Sequence, residues 1–410
     1  MLDTTETSIG TSFSPSSATS PITRKVSTYG GLCQRAWVEI DIAALAHNVR
    51  QLKRILSPQT ALMAVVKADA YGHGAVTVAQ TALQNGASWL GVATIPEGIE
   101  LREAGIEAPI LILGATHSPE QIRAIAHWKL QPTLCTPQQA LGFSETLTAS
   151  NLTLPVHLKL DTGMSRLGTP WQKAAEFVQL VNRLPNLRIA SIYSHLATAD
   201  SPDPTGMKQQ QERFEEAIAS ITQTAATGEL PKLHFANSAA LLTSPSLHYD
   251  MVRAGLAVYG LYPAEHLKRA IELQPVMQVK ARVTQVKTIA AGTGVSYGHQ
   301  FVAERETRIA VIGIGYADGV PRNLSNKIKV AIRGQLIPQI GAITMDQLML
   351  DVTAIPDLQV GEVVTLLGKD GDIEILADDW AATLGTISWE ILCGFKHRLP
   401  RVSVELGSRE

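Results

Sequence analysis

Lys67 stands at the end of a short apolar run, Leu62–Val66, and just ahead of Gly72, His73 and Gly74. A run of that length with β-branched residues at its end reads as a strand buried on both faces. A helical pattern follows from Ala75 to Leu83. A lysine at this junction has two readings. Either it is a strand-terminal charge reaching into water, or it sits at the mouth of a sheet, where partial desolvation turns its amine into a nucleophile or base. Other residues able to do chemistry recur at the ends of later apolar runs. Lys159, Asp161 and Arg166 lie in H-L-K-L-D-T-G-M-S-R-L-G, and His195 closes the run in Y-S-H-L-A-T-A-D. Asn237 and Ser238 follow Leu233–Ala236, and Arg253 precedes Gly255 and Leu256 in V-R-A-G-L-A-V-Y-G. Singly, each has a structural explanation: His195 as a core histidine, Asp161 with Arg166 as an ion pair, Ser238 as a helix cap. Their shared placement at strand ends is what joins them.

The elements that must carry these residues form a regular series. Trp37–Ile42 alternates like a strand, and Ile42–Ile55 carries a helical stripe. Besides the lysine strand, apolar strands are expected at Trp89–Ala93, Ile110–Leu113, Thr133–Thr136, Val156–Leu160, Ile189–Ser194, Leu233–Ala236 and Met251–Arg253, each followed by a helical pattern. About eight strand–helix units predict parallel strands closed into a TIM-like α/β barrel over residues 36–275, with its site at the strands' C-terminal ends. The rival, an open doubly wound sheet, lacks a G-x-G-x-x-G turn after the first strand. Barrels often bind phosphate in the loops after strands seven and eight. Here those loops hold Ser238 and Gly255–Leu256.

Beyond Pro275 the alternation stops. Strand patterns at Met277–Ile289, Thr307–Ile314, Lys329–Arg333, Leu336–Ile340, Gln347–Val352 and Val363–Leu367, separated by glycine turns, predict a C-terminal β-rich domain over 276–410. Only Ala377–Leu384 reads as helix there. Residues 1–35, rich in Ser and Thr, are expected to be a disordered tail.

With 35 Lys+Arg against 37 Asp+Glu, the 410-residue chain offers no electrostatic footprint for nucleic acid or an anionic membrane, which points to a small-molecule partner. Its three cysteines, Cys33, Cys135 and Cys393, are too scattered for a disulfide framework or zinc site and fit a reducing compartment. No apolar run approaches a membrane span. The expected location is the cytoplasm.

The lysine segment V-V-K-A-D-A-Y-G-H-G resembles the pyridoxal-phosphate lysine motif of alanine racemases. The resemblance implies that Lys67 carries the cofactor as a Schiff base and serves as one catalytic base, and that Tyr71 binds the phosphate. H-F-A-N-S-A-A and V-R-A-G-L-A-V-Y-G are similar to family segments that place Ser238, Gly255 and Leu256 on the phosphate and Arg253 at the pyridine nitrogen. K-L-D-T-G-M-S-R-L-G implies Arg166 on the cofactor's phenolic oxygen and the substrate carboxylate, oriented by Lys159, which is carbamylated in some members. His195 matches a histidine stacked near the ring and linked to Arg253. In the second domain G-V-S-Y-G-H implies Tyr297 as the other catalytic base, and T-M-D-Q implies Met345 and Asp346 closing the site. Family loops of this kind reach the partner's barrel, which implies a homodimer with composite sites. Two departures stand out: Thr344 where members often have cysteine, and Trp389 in T-I-S-W-E where they have a phosphate-touching tyrosine.

The function implied is interconversion of L- and D-alanine, supplying D-alanine for peptidoglycan. Three other readings remain: a racemase of broader specificity, including serine; a barrel-type amino-acid decarboxylase, against which Arg253 speaks; and a non-catalytic cofactor carrier, against which the second domain speaks.

Overall fold

The computed structural model describes residues 34–148, 152–224 and 230–405. The tail expected over 1–35 lies, but for its last two residues, outside the described residues. After a first strand, β1 (Ala36–Asp41), come β2 (Ala61–Val65), β3 (Trp89–Val92), β4 (Ile110–Ala115), β5 (Gln131–Leu134) and β6 (Leu154–Asp161). The two-residue β7 (Thr169–Pro170), β8 (Leu187–Tyr193), β9 (Lys232–His234) and β10 (Met251–Ala254) follow. Strands β2 to β6 and β8 to β10 pair in parallel, and β10 pairs back onto β2, so the eight expected strands close into a barrel with β7 appended beside β6. Buried aliphatic runs such as Leu62–Val66 give these strands no solvated face, as parallel strands covered by helices require.

The second sheet comprises β11 (Met277–Ile289), β12 (Gly294–Val295), β13 (Phe301–Val302), β14 (Thr307–Ile312), β15 (Lys329–Ile332), β16 (Gln335–Ile340), β17 (Leu348–Asp351), β18 (Val363–Asp370), β19 (Ile373–Ile375) and β20 (Arg401–Val404), with β12 and β13 a separate hairpin. Strands β18, β15, β16, β17, β14 and β11 form an antiparallel ring, closed because β11 also pairs with β18. Two register shifts in the long β11 let one strand serve both neighbours.

Two details differ from expectation. Ala36–Asp41, placed in the barrel segment by sequence, pairs with β11 and β20 in the second sheet. Asp41 ends that strand and caps the barrel helix Ile42–Arg54, accepting from the Ala43 and Ala44 amides at 2.9 and 3.1 Å. The chain therefore crosses between sheets at a single residue. Beside the expected helix Ala377–Leu384 there is a second, Ser388–Gly394, which packs against the turn that carries Lys67. At seven residues it is too short for periodicity to reveal, and its cap, Ile387, has no polar side chain.

Candidate active site

Lys67 follows β2 after one residue and opens a backbone turn that no residue type announces. Ala68, Asp69, Ala70 and Tyr71 all adopt left-handed helical dihedrals, with φ from 52° to 55°. None is glycine, so the turn costs about 1–2 kcal/mol per residue and persists only where its surroundings over-determine it. They do. The Ala68 amide donates to Glu97 Oε1 at 2.8 Å, and Asp69 Oδ1 accepts from the Ala75 amide at 2.8 Å. His73 Nδ1 donates to the carbonyls of Ala70 and Tyr71 at 2.9 and 3.1 Å, and Arg401 Nε donates to that of Gly72 at 3.0 Å. Burial, with the Arg166 guanidinium second, lowers the Lys67 pKa, so its amine is less firmly protonated than a surface lysine's.

The turn brings the Tyr71 phenol beneath the loop after β10. A β-carbon built on Gly255 would lie 2.6 Å from Tyr71 Oη, so the two can approach only because residue 255 is glycine. The Gly255 amide donates to Ser238 Oγ at 2.9 Å, which leaves the serine hydroxyl hydrogen for a ligand. Asn237, not Ser238, caps the helix Ser238–Thr243, accepting from the Ala240 amide at 3.0 Å. Leu256, buried, begins the next turn. Among the described residues the Tyr71 hydroxyl has no hydrogen-bond partner. A lysine amine, an unpaired phenol, a free hydroxyl and a glycine loop at one strand-end mouth fit an aldehyde cofactor bearing phosphate.

Arg253 is 4% exposed on β10. Its Nη1 donates to His234 Nδ1 at 2.8 Å, and its Nη2 donates to the carbonyls of Ser194 and Phe235 at 2.8 and 3.0 Å. Nη2 also meets His195 Nδ1 at 3.3 Å. Burial lowers the arginine pKa to about 10, still far above neutrality. His195 is held well below the usual histidine range by burial and then by Arg253, so it is a neutral ring. Tyr193 underlies this group: Arg253 and Lys159 lie 5.1 and 5.5 Å from its ring centre. Burial, then Arg253, pulls Lys159 down to about 8. Arg166 is exposed yet close enough to lower both Lys67 and Lys159. The ion pair considered for Asp161 and Arg166 is not formed; Asp161 Oδ1 instead accepts from the Gly163 and Ser165 amides at 3.0 Å each.

Among the described residues no hydrogen bond or ion pair joins the second-domain candidates to this group. Tyr297 is 71% exposed and Met345 53% exposed. Among the described residues neither has a hydrogen bond or ring contact with a barrel side chain. Asp346 pairs with Arg398, whose Nε also lies 3.5 Å from the fully buried Asp318. Trp389 is half-buried on the helix that packs against the lysine turn.

The alanine racemase N-terminal domain family matches residues 40–263, and the alanine racemase C-terminal domain family matches 276–403. An alanine racemase of a Nostoc species is 72% identical over 379 residues, covering 92% of this chain and 98% of that protein. This chain belongs to the alanine racemase family. A Synechocystis alanine racemase is 67% identical over 90% of this chain and 99% of its own length. The solved alanine racemase of Clostridium difficile 630 superposes with a TM-score of 0.87 at 34% identity, covering 92% of this chain and 97% of that one. Membership makes the chain a pyridoxal-phosphate-dependent isomerase acting on a small amino acid, and removes the decarboxylase and carrier readings.

Several residues that build this racemase site escaped sequence reasoning. Tyr193, His234, Ser191 and His157 are buried inside the barrel, and Cys393 lies near Lys67 and is pushed up by burial. A signal existed for three of them. His157 lies two residues before Lys159, and Ser191 and Tyr193 two apart, so each pair shares a strand face. No helix among the described residues is long and apolar enough to cross a membrane.

Proposed function

We propose that this racemase moves the α-proton of alanine between two bases, Lys67 from its own barrel and Tyr297 from a second copy of the chain. The observation that carries the reading is the meeting of Lys67, Tyr71, Ser238, Gly255 and Arg253 at one barrel mouth. Bound there, pyridoxal phosphate supplies a sink for the electrons of the α-carbon. Lys67 would hold its aldehyde, and its amine would take or return the α-proton on one face. Ser238 Oγ, the Gly255–Leu256 loop and Tyr71 Oη hold the phosphate. Arg253, which cannot surrender its proton at neutral pH, would meet the pyridine nitrogen as a donor and leave it unprotonated, which would moderate the sink and favour return of the proton. Arg166 would hold the substrate carboxylate, with Lys159 orienting it, and His195 would lie against the ring.

Tyr297 belongs on the opposite face. Its exposure in the single chain supports a homodimer in which the β domain of one copy covers the barrel of the other. A cavity of about 600 Å³ lined by Val295, Ser296, Thr344 and Met349 lies beside it. Met345 and Asp346 then close the neighbouring site. Trp389 lies on the helix that packs against the lysine turn, and its bulk in place of a tyrosine bears on how large a substrate side chain is accepted. The product supplies peptidoglycan, and the cysteine usage supports a cytoplasmic enzyme.

The test is incubation with L-alanine in deuterated water. D-alanine carrying α-deuterium supports the reading; unchanged L-alanine, from protein whose cofactor absorption borohydride abolishes, would refute it.

A further inference from the structure

The barrel interior is not uniformly aliphatic. Met63, Leu111 and Met251 form one apolar layer, but beside it Thr133, His157, Ser191 and His234 project from neighbouring strands and are all buried. Three of them link end to end. His234 Nε2 lies 2.8 Å from Ser191 Oγ, Ser191 Oγ 2.6 Å from His157 Nδ1, and His157 Nε2 2.8 Å from Gln131 Oε1. Gln131 is half-buried at the start of β5, the end of the barrel away from Lys67.

Each proton in this line can be placed by donor chemistry. A guanidinium only donates, so His234 Nδ1 accepts from Arg253 and the histidine's single proton sits on Nε2. Burial keeps both histidines neutral, with His157 lowered to about 3. The His234 Nε2–H therefore donates to Ser191. If His157 also donated to Ser191, the serine hydrogen would have no acceptor in a buried site, which is costly. Ser191 thus donates to His157 Nδ1, and His157 Nε2–H donates to the Gln131 carbonyl. Every hydrogen points away from the active site, an arrangement in which each bond strengthens the next.

We infer that Ser191, His157 and Gln131 are positioning residues, forming a one-way hydrogen-bond line that locks His234 as an acceptor and thereby fixes Arg253. The inference rests on the cofactor-facing role of Arg253 proposed above. The line has a consequence that a carboxylate partner would not give. Arg253 is held by His234, His195 and two carbonyls, none of them anionic, so its full positive charge stays at the site. Were His234 to carry its proton on Nδ1, that N–H would face the guanidinium donor against donor and release it.

The experiment reads tautomers directly. Nitrogen-15 histidine labelling and long-range proton–nitrogen spectra, taken on the full chain with and without pyridoxal phosphate, assign the protonated nitrogen of each ring. Both His157 and His234 are expected as neutral Nε2–H forms at neutral pH. Ser191→Ala should convert His234 to a mixture of tautomers and lower kcat about tenfold with KM little changed, the loss implied by one buried donor left unpaired. Ser191→Thr, which keeps the hydroxyl, should restore both. Gln131→Leu breaks the line at its half-buried end and should mix the His157 tautomers if Ser191→Ala does not fold. An Nδ1–H His234 in the wild type would overturn the inference. So would a Ser191→Ala variant that leaves either the tautomer or kcat unchanged. A wild type that forms no lysine-bound cofactor absorption would instead defeat the reading of the site, while leaving the tautomer result intact.

Discussion

The hydroxyl of Tyr71 approaches the Cα of Gly255 so closely that a β-carbon on residue 255 would come within 2.6 Å of it. The left-handed turn after Lys67 and the loop after β10 are thus fitted to each other, and neither can change alone. Gly255→Ala is expected to push the phenol out of the proposed phosphate cradle. Overpacking of this kind costs about 1–3 kcal/mol, or roughly five- to 150-fold in cofactor affinity. Titrating pyridoxal phosphate into the apo-variant by absorbance checks this, and an unchanged Kd contradicts it.

The turn itself is held by His73, whose Nδ1–H serves two carbonyls of the strained segment. His73→Phe keeps the ring stacked on Tyr259, 4.4 Å away, but leaves both carbonyls short of a donor. A stability loss of about 1–3 kcal/mol is expected, read from urea unfolding midpoints. A larger loss of cofactor affinity than of stability would be the mark of a turn that serves Tyr71.

Buried neutral histidines set the acid limit. His73 and His157 fall from 6.5 to about 4 and about 3, chiefly through burial. Their folded values lie below their unfolded ones, so below pH 6.5 the unfolded chain binds protons that the native chain refuses. Stability is complete above that point and is lost as pH falls towards 4. The slope is up to about 1.4 kcal/mol per pH unit for each histidine. Urea midpoints measured across this window should fall steadily, and His157→Gln should flatten the curve by about one proton.

Lys159, pulled down to about 8, has a deprotonated fraction at neutral pH that a surface lysine lacks. That fraction can add carbon dioxide. A carbamate there would turn the repulsion between Lys159 and Arg166 into attraction and steady the exposed guanidinium. Carbon-13 bicarbonate should give a protein-bound carbamate signal that Lys159→Ala abolishes. Its absence from the wild type would mean that Arg166 is held another way.

The barrel was legible because most of its strands fall on short apolar runs and the chemistry-bearing residues stand at or just beyond the ends of those runs. The second sheet was legible through its glycine turns. The left-handed turn was not, because Ala68 to Tyr71 contain no glycine to announce positive φ; tertiary contacts from Glu97, His73 and Arg401 impose it. The polar line through His157, Ser191 and His234 was hidden for another reason. Each sits singly in an apolar strand, and only the lateral pairing of the consecutive strands β5, β6, β8 and β9 brings them side by side. The placement of β1 in the second sheet likewise depends on an edge offered by β11, more than 230 residues away.

The central claim is that each site joins Lys67 of one copy to Tyr297 of another, and mixing two inactive variants tests it most directly. Lys67→Ala and Tyr297→Phe proteins, unfolded together in equal amounts and refolded with cofactor, form hybrid dimers in half of the assemblies. In each hybrid one site regains both bases if they come from different copies, restoring about a quarter of wild-type racemisation. Activity no higher than that of the two variants refolded separately, despite hybrid formation shown by differential tagging, would contradict the shared site.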